Sequence, residues 1–537
     1  MTATGSAEEQ TQPGGSVSSS YTGGPLALLQ DSQRINAGQQ QLDVAIVGAG
    51  ICGMCTAITL AERGHRITLY ERDSAPPEGD ADAAFFGWQR SGAGQFRHPH
   101  AFLGLVCNLL ADRYPQLLDE LFAAGARKVG FTEMLPYALR AGYRSESGDE
   151  ALWVLLCRRA TMETVIRRHV ATLPGVRIVN GVKVTGLRAA GAAGTESGAA
   201  IEVNGLNFSG PDGEVAIDAD IVVDASGRTS RFPKYLAQLG CVVPEEKEDA
   251  EILYYTRHYQ LQDGEVEPPR GEIAGAGDLG YLKFGVFPGD NGHFAIILCI
   301  PVDEAALKVA LRDGDQFDAI CRSIPGLAPW LAPGKSSPTT DSFGIADIYA
   351  VWRDYAPNEQ PLALNFFAVG DSHLRTNPLY GRGCSTGVLH AAILADVLSD
   401  KGNAEDWALA FEQLTRDGLR PIYEASLAED RKGKHRALAV RTGRNIERAK
   451  SLKKYLGLAF GDALSAAATR EVHVVRGLMR TVNLLETPGA FLSDPKIKRT
   501  LMRYMLRGRK SNAASRFQPG PDRQTMHEQV LGLPVVS

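Results

Sequence analysis

Cysteine is scarce, with eight in 537 residues and no paired spacing repeated along the chain. That excludes a disulfide framework and fits a reducing, cytoplasmic setting. No run of about 18 apolar residues occurs, so nothing reads as a bilayer span. Residues 1–41 have neither a basic start nor a continuous apolar segment, which argues against a secretory signal and for a flexible polar tail. Internal repeats are absent, no metal site is expected, and nothing resembles a nucleic-acid reading motif. What remains, 44% hydrophobic and 22% charged with 57 Gly and 28 Pro, is an ordinary globular composition of two to four domains.

The formal net charge of −5 conceals an asymmetry. Residues Arg431 to Lys510 hold 20 Lys and Arg against 5 Asp and Glu, leaving 37 against 57 in the rest. Two readings stay open. The basic helices dock on the acidic body, or stretches such as Lys496 to Lys510 (KIKRTLMRYMLRGRK) touch an anionic lipid surface, an acidic carrier or an anionic substrate.

Leu42 to Val47 (LDVAIV) is a short apolar run ending in glycine; a small-residue helix pattern follows, and His65 to Tyr70 (HRITLY) predicts a second strand ending at Glu71. Gly48-Ala49-Gly50-Ile51-Cys52-Gly53 thus carries G-x-G-x-x-G in the context where that spacing has meaning. Gly48 permits the tight turn, Gly50 lets backbone N–H groups approach a pyrophosphate, and Gly53 allows close helix–sheet packing. Glu71, with Arg72 beside it, stands where an acid accepts hydrogen bonds from both hydroxyls of an adenosine ribose, which suits FAD or NAD. A second literal match, Gly275 to Gly280, precedes β-like YLKFGVF and is expected to be a loop. Cys52 and Cys55 read as small packing residues, a redox pair being the alternative.

Helical periodicity covers 103–125 and Arg159 to Ala171, and strands are expected at 176–187, 199–208 and 219–224. The stretch 251–355, rich in Tyr, Phe, Ile and turn residues, predicts an inserted antiparallel sheet with a helix near 304–322. The expected division is a tail (1–41), a dinucleotide-binding domain (42–250, with a helical insertion at about 101–150), a β-sheet domain (251–355), the second part of the first domain (356–402), a basic helical region (403–510) and a tail (511–537).

The segment FFAVGDSHLRTNPLYGRGCSTGVLHAAILADVL (366–398) places Gly370-Asp371 at a strand end, Pro378 in a turn, and Gly381 and Gly383 before a small-residue helix. With the first glycine motif, it resembles the FAD-dependent monooxygenases of the para-hydroxybenzoate hydroxylase type and their relatives, the geranylgeranyl reductases and flavin-dependent halogenases. The resemblance implies an α/β fold: a Rossmann-type FAD-binding domain, an inserted antiparallel β-sheet substrate domain and a C-terminal helical region. It puts Gly370 and Asp371 at the ribityl chain, with Pro378, Gly381 and Gly383 beside the isoalloxazine. Arg159 is expected to contact the flavin, with neighbouring Arg158 as the alternative, Val184 the adenine through its backbone, and Asp224 and Gly227 belong to a second flavin fingerprint (DIVVDASGRTSR). Ser226 and Pro233 depart from that fingerprint's usual form, so the electron donor stays open between NAD(P)H and a separate reductase. Arg90 to His100 resembles an Arg…Gln…His stretch on the substrate side of the flavin. Arg90 and Gln95 are thereby expected at the cofactor. Arg90, His98 and Pro378 are the candidate catalytic residues, with a hydrogen-bonded structural role as the alternative for His98.

Within that superfamily the resemblance implies hydroxylation or epoxidation of a lipophilic or polycyclic small molecule with O2, through a flavin C4a-hydroperoxide. Tyr255, Tyr281, Phe284 and Phe287 are the expected pocket aromatics, ordinary sheet core being the alternative. Reduction of C=C bonds in an isoprenoid or other lipid is the rival, because Tyr281 to Phe294 partly resembles a reductase hairpin. Halogenation is disfavoured, since no Lys occurs between Arg72 and Arg127. A non-catalytic flavoprotein is the remaining alternative, and the oligomeric state is not legible.

Overall fold

Strand–helix repeats with apolar runs bury both faces of a sheet only by stacking helices over it. The computed structural model describes residues 40–190, 200–210, 213–443, 451–512 and 519–532. Its first body is built from β1 (Asp43–Val47), α1 (Ile51–Glu62), β2 (Arg66–Glu71), α2 (Arg159–Thr172), β3 (Val176–Asn180) and β4 (Ile221–Asp224). All pairings in this sheet are parallel, in the order Phe366–Ala368, β4, β1, β2, β3. The chain grows outward from β1 through β2 and then returns to β1's other side with β4. Loops at the carboxyl ends of β1 and β4 therefore diverge and leave a crevice.

The inserted body contains β5 (Glu245–Asp249), β6 (Ile252–Leu261), β7 (Lys283–Pro288), β8 (His293–Pro301), α3 (Gly314–Ser323), β9 (Phe343–Ile345) and β10 (Tyr349–Arg353). β8 pairs antiparallel with both β6 and β7, and β9 pairs with β6. Side chains alternate across a strand. Leu253, Tyr255 and Tyr259 of β6 pack on Phe317 and Ile320 of α3. Thr256 and His258 turn the other way, bonding His98 and the Arg97 carbonyl of the first body at 2.8 and 2.6 Å. The second glycine match is not a loop throughout: Ala276–Asp278 pairs antiparallel with β7, extending the sheet.

The chain re-enters the first body as α4 (Gly383–Ser399) and continues as α5 (Ala404–Arg441), capped by Asn403, whose Oδ1 accepts from the N–H groups of Glu405 and Asp406. Phe411, Leu419, Ile422 and Tyr423 of α5 join the first body's core. Its cations pair with acids elsewhere: Arg420 with Glu246 and Arg431 with Glu248 on β5, then Arg436 with Asp278 and Arg441 with Asp303 on the inserted body. α6 (Leu452–Ala468), α7 (Val472–Val482) and α8 (Pro495–Leu506) make a terminal helical layer, tied to the first body by Arg476 on Asp149 at 2.5 Å.

The expectation of a loose tail beyond 511 fails for 519–532. Met526 is fully buried in the inserted body's core, Arg523 pairs with Glu304, and Tyr281 donates its hydroxyl to the Pro521 carbonyl. The remaining tail residues expected at 1–39, 513–518 and 533–537 lie outside the described residues. Among the described residues no helix is long and apolar enough to cross a membrane.

Candidate functional site

The three glycines after β1 are required for different reasons. Gly48 has φ +108°, and a Cβ there would lie 2.4 Å from the Ala225 carbonyl oxygen; at Gly53 it would lie 1.9 Å from the Gly48 carbonyl oxygen. Folding alone excludes side chains at both. Gly50 has φ −81°, and a Cβ would meet only Arg159 and Arg90 nitrogens at 3.8 and 3.9 Å. The protein has room for a side chain at Gly50; what needs the space is whatever enters beside it.

The second glycine turn closes on the same space. Gly387 of α4 packs on Cys52 of α1, where a Cβ would approach the Cys52 Cβ to 3.0 Å. Small residues thus let α1 and α4 lie side by side, with their N-terminal ends opening on one cavity of about 730 Å³. Gly48, Gly50, Glu71, Arg72, Arg90, Gln95, Arg159, Val184 and Gly227 line it from one side; Gly370, Asp371, Pro378, Gly381 and Gly383 line it from the other. Ala49, Gly53 and Asp224 sit behind the lining. Asp224 is fully buried, accepting from Ser226, Ser230 and Ser372, while Ser372 Oγ accepts from Gly227 N–H. It joins two turns instead of reaching the cavity.

Under the β1 turn lies a charge cluster. Glu71 accepts from the N–H groups of Ala49 and Asp73 at 3.0 Å. Arg90 reaches Glu71 at 2.9 Å, Asp73 at 3.2 Å and Glu163 at 3.1 Å, and Arg159 holds Glu163 at 2.5 Å. Burial opposes the charge on Glu163, but Arg159 and Arg90 hold its carboxyl below the ordinary value. Arg90 is itself held charged by Glu163, Glu71 and Asp73 against its burial. Its guanidinium, though at the cavity wall, is committed to carboxylates, which suits charge balance there better than the expected catalytic part. Asp73 and Glu163 escape sequence reading, because only the fold brings them to Arg90.

At the other end, Asp371 makes no side-chain hydrogen bond or ion pair among the described residues, and burial raises its carboxyl against the pull of Arg375, Arg159 and Arg228. Such a carboxylate fits a polyol chain as its missing partner. The Gly50 cradle and this unpartnered acid suit the two halves of FAD.

Comparison with known proteins agrees. The family model described as FAD dependent oxidoreductase matches residues 43–163. Protein Rv3254 of Mycobacterium tuberculosis is 27% identical over 391 residues, covering 70% of this chain and 77% of that one. An FAD-dependent monooxygenase of Aspergillus terreus is 26% identical over 384 residues, covering 67% and 78%. The chain is an FAD-dependent oxidoreductase. Its fold is similar to that of the p-nitrophenol 4-monooxygenase PnpA from Pseudomonas putida, with a TM-score of 0.53 at 16% identity over 84% of this chain and 99% of that one.

In this oxidoreductase the expected pocket aromatics divide. Phe287 lines the cavity, together with Tyr254, Ile297, Ile345, Tyr349 and Tyr380. Tyr255, Tyr281 and Phe284 do not: they point to the opposite face of the sheet and fill the core under α3. Tyr254 donates to Asn377 Oδ1, Asn377 Nδ2 donates to Asp430 of α5 at 2.7 Å, and Tyr380 donates to the same Asp430 oxygen at 2.8 Å. Asn377 and Tyr380 flank Pro378, so the long helix fixes the turn carrying it.

His98 lines the cavity, but its surroundings favour the hydrogen-bonded alternative over an acid or base. Burial, with His100 and Arg228 nearby, pushes its imidazole down to about 3, leaving it neutral and bonded to Thr256. Burial also holds His100 and His258 at about 3. Below about pH 6.5 the unfolded chain binds protons that these folded imidazoles refuse, so each costs about 1.4 kcal/mol of stability per pH unit as pH falls toward 3. We expect His258→Asn to flatten the slope of unfolding free energy between about pH 6.5 and 5 by that amount, measured by urea titration.

The oxidoreductase's free carboxylate gives a second expectation. Asp371→Ala should weaken FAD binding by roughly ten- to a hundredfold, the worth of one or two charge-assisted hydrogen bonds, as read by quenching of flavin fluorescence. Unchanged affinity would remove Asp371 from the site.

Proposed function

We propose that the oxidoreductase is a monooxygenase that uses O2 to hydroxylate or epoxidise a lipophilic or polycyclic small molecule, with NAD(P)H or a separate reductase as electron donor. The observation that carries this reading is the apolar chamber against the Pro378–Gly383 turn, walled by Phe287, Ile297, Ile345 and Leu379 with the rings of Tyr254 and Tyr380. The cofactor, when bound, supplies the activation of O2 and the oxygen transfer.

The chain's own groups bind, orient and shield. Glu71 and the backbone at Gly50 would hold the adenosine and pyrophosphate, and Asp371 the ribityl chain. The first-turn N–H groups of α4, which opens on the cavity at Gly383 and Cys384, would favour negative charge developing on the ring. Apolar walls exclude water and accept an apolar substrate. Tyr254 and Tyr380 offer the polar edges that fix its orientation. The names of the Aspergillus terreus and Pseudomonas putida relatives support oxygenation.

The test is turnover of FAD-loaded protein with NADPH and a panel of lipophilic polycycles under ¹⁸O2. Product carrying one labelled oxygen is expected. Ligand-independent conversion of all O2 to hydrogen peroxide, or anaerobic saturation of an alkene substrate, would refute the reading.

A further inference from the structure

The cations of the C-terminal region fall into two sets. Those on α5 and α7 meet acids of the body, as Arg431 meets Glu248 and Arg476 meets Asp149. On the outer helices Arg503 meets Glu471, but Lys453, Lys454, Lys496, Lys498 and Arg499 make no ion pair among the described residues.

Apolar side chains protrude between them. Residues 451–457, opening α6, are exposed on every side. At about 100° per residue, Leu452, Tyr455 and Leu456 share one arc with Lys453 and Lys454 outside it. That arc continues the stripe on which Ala459, Ala463, Ala466 and Ala467 are buried further along α6, where Val474, Ile497 and Tyr504 complete the cluster. The stripe outruns its cover: Leu452 is 74% exposed. On α8, Ile497, Thr500, Leu501 and Tyr504 face inward. The opposite face carries Lys498, Arg499 and Arg503 around Met502 and Leu506, which are 61% and 82% exposed.

We propose that the start of α6 and the outer face of α8 dock on an anionic lipid surface. Cations there meet headgroups while Leu452, Leu456, Met502 and Leu506 enter the boundary with the acyl chains. Charge decides the sign of the partner: Glu471 offsets Arg503 and Asp494 caps the helix, which leaves Lys453, Lys454, Lys496, Lys498 and Arg499 without an ion-pair partner among the described residues. Shape decides its kind: the apolar residues project singly between cations instead of lining a groove, which suits a yielding lipid surface better than a contoured acidic protein. The docking is independent of the reaction proposed above.

The experiment is flotation of the FAD-loaded full chain with vesicles of phosphatidylcholine alone or mixed with phosphatidylglycerol. Binding to the mixed vesicles only, released by salt, is expected. Lys498→Ala with Arg499→Ala should weaken it on the order of thirtyfold, since each cation near such a surface is worth about 1 kcal/mol. Met502→Ser with Leu506→Ser should weaken it about tenfold and leave the salt dependence. Retained flavin absorbance shows that each variant is folded. Equal binding to both vesicle types, no binding, or unchanged binding by both variants overturns the proposal. Binding to polyglutamate as tight as to vesicles would assign the surface to an acidic protein, and self-association without vesicle binding would assign it to a second copy; either result also overturns it.

Discussion

Gly50→Val is expected to give a folded, colourless protein. The substitution meets no backbone strain and no atom nearer than 3.8 Å at its Cβ, so the melting temperature without FAD should match the unsubstituted chain. The added side chain fills the space in which a pyrophosphate would approach the α1 terminus. Binding should weaken by about 4 kcal/mol, roughly a thousandfold. Calorimetric titration measures the loss, and the stabilisation that FAD gives the parent should vanish with it. Gly277→Val, placed on the edge strand of the inserted sheet, is the control and should stay yellow. A yellow Gly50→Val protein would mean that phosphate lies elsewhere.

Arg90→Met should destabilise the protein by about 3–5 kcal/mol at neutral pH, because a buried cation serving three carboxylates leaves them uncompensated. The pH dependence separates this from a loss of packing. In the parent, Glu163 is held below its ordinary value, so its contribution is complete above about pH 4.5 and is lost as pH falls. In the variant, burial with one cation fewer raises that carboxyl, and protonation relieves the penalty. The deficit between variant and parent in urea titrations should therefore shrink as pH is lowered toward 5. A deficit constant with pH would assign the loss to packing alone.

The legible parts of this molecule are those whose chemistry is local in the chain. β1, the glycine turn and α1 follow one another within a few residues, and the Gly370–Gly383 stretch carries its turn chemistry with it. The aromatic pocket was harder to read, because β6 and β7 are buried on both faces and offer no polar–apolar alternation. Nothing in YYTRHY marks Tyr254 for the cavity and Tyr255 for the core; only pairing with neighbouring strands decides. The carboxylates around Arg90 were hidden for another reason, since Asp73 and Glu163 lie 17 and 73 residues from it and pairing across such gaps leaves no local trace. Asp430 reaches Asn377 across 53 residues in the same way. The acidic body and basic helices foretold attraction, but not that α5 would satisfy its cations while α8 would leave Lys496, Lys498 and Arg499 without an ion pair among the described residues.

One consequence of α5 concerns how molecules get in and out. The helix is rooted in the core of the first body, yet its cations hold β5 and, through Arg436 and Arg441, the far edge of the inserted sheet. Swinging the two bodies apart like a hinge would break this row of ion pairs together and pull Tyr254 of β6 from Asn377. Such pairs act together although each is small, so passage to the chamber is expected to rely on short-range adjustments at its mouth, where Leu379 and Tyr380 stand.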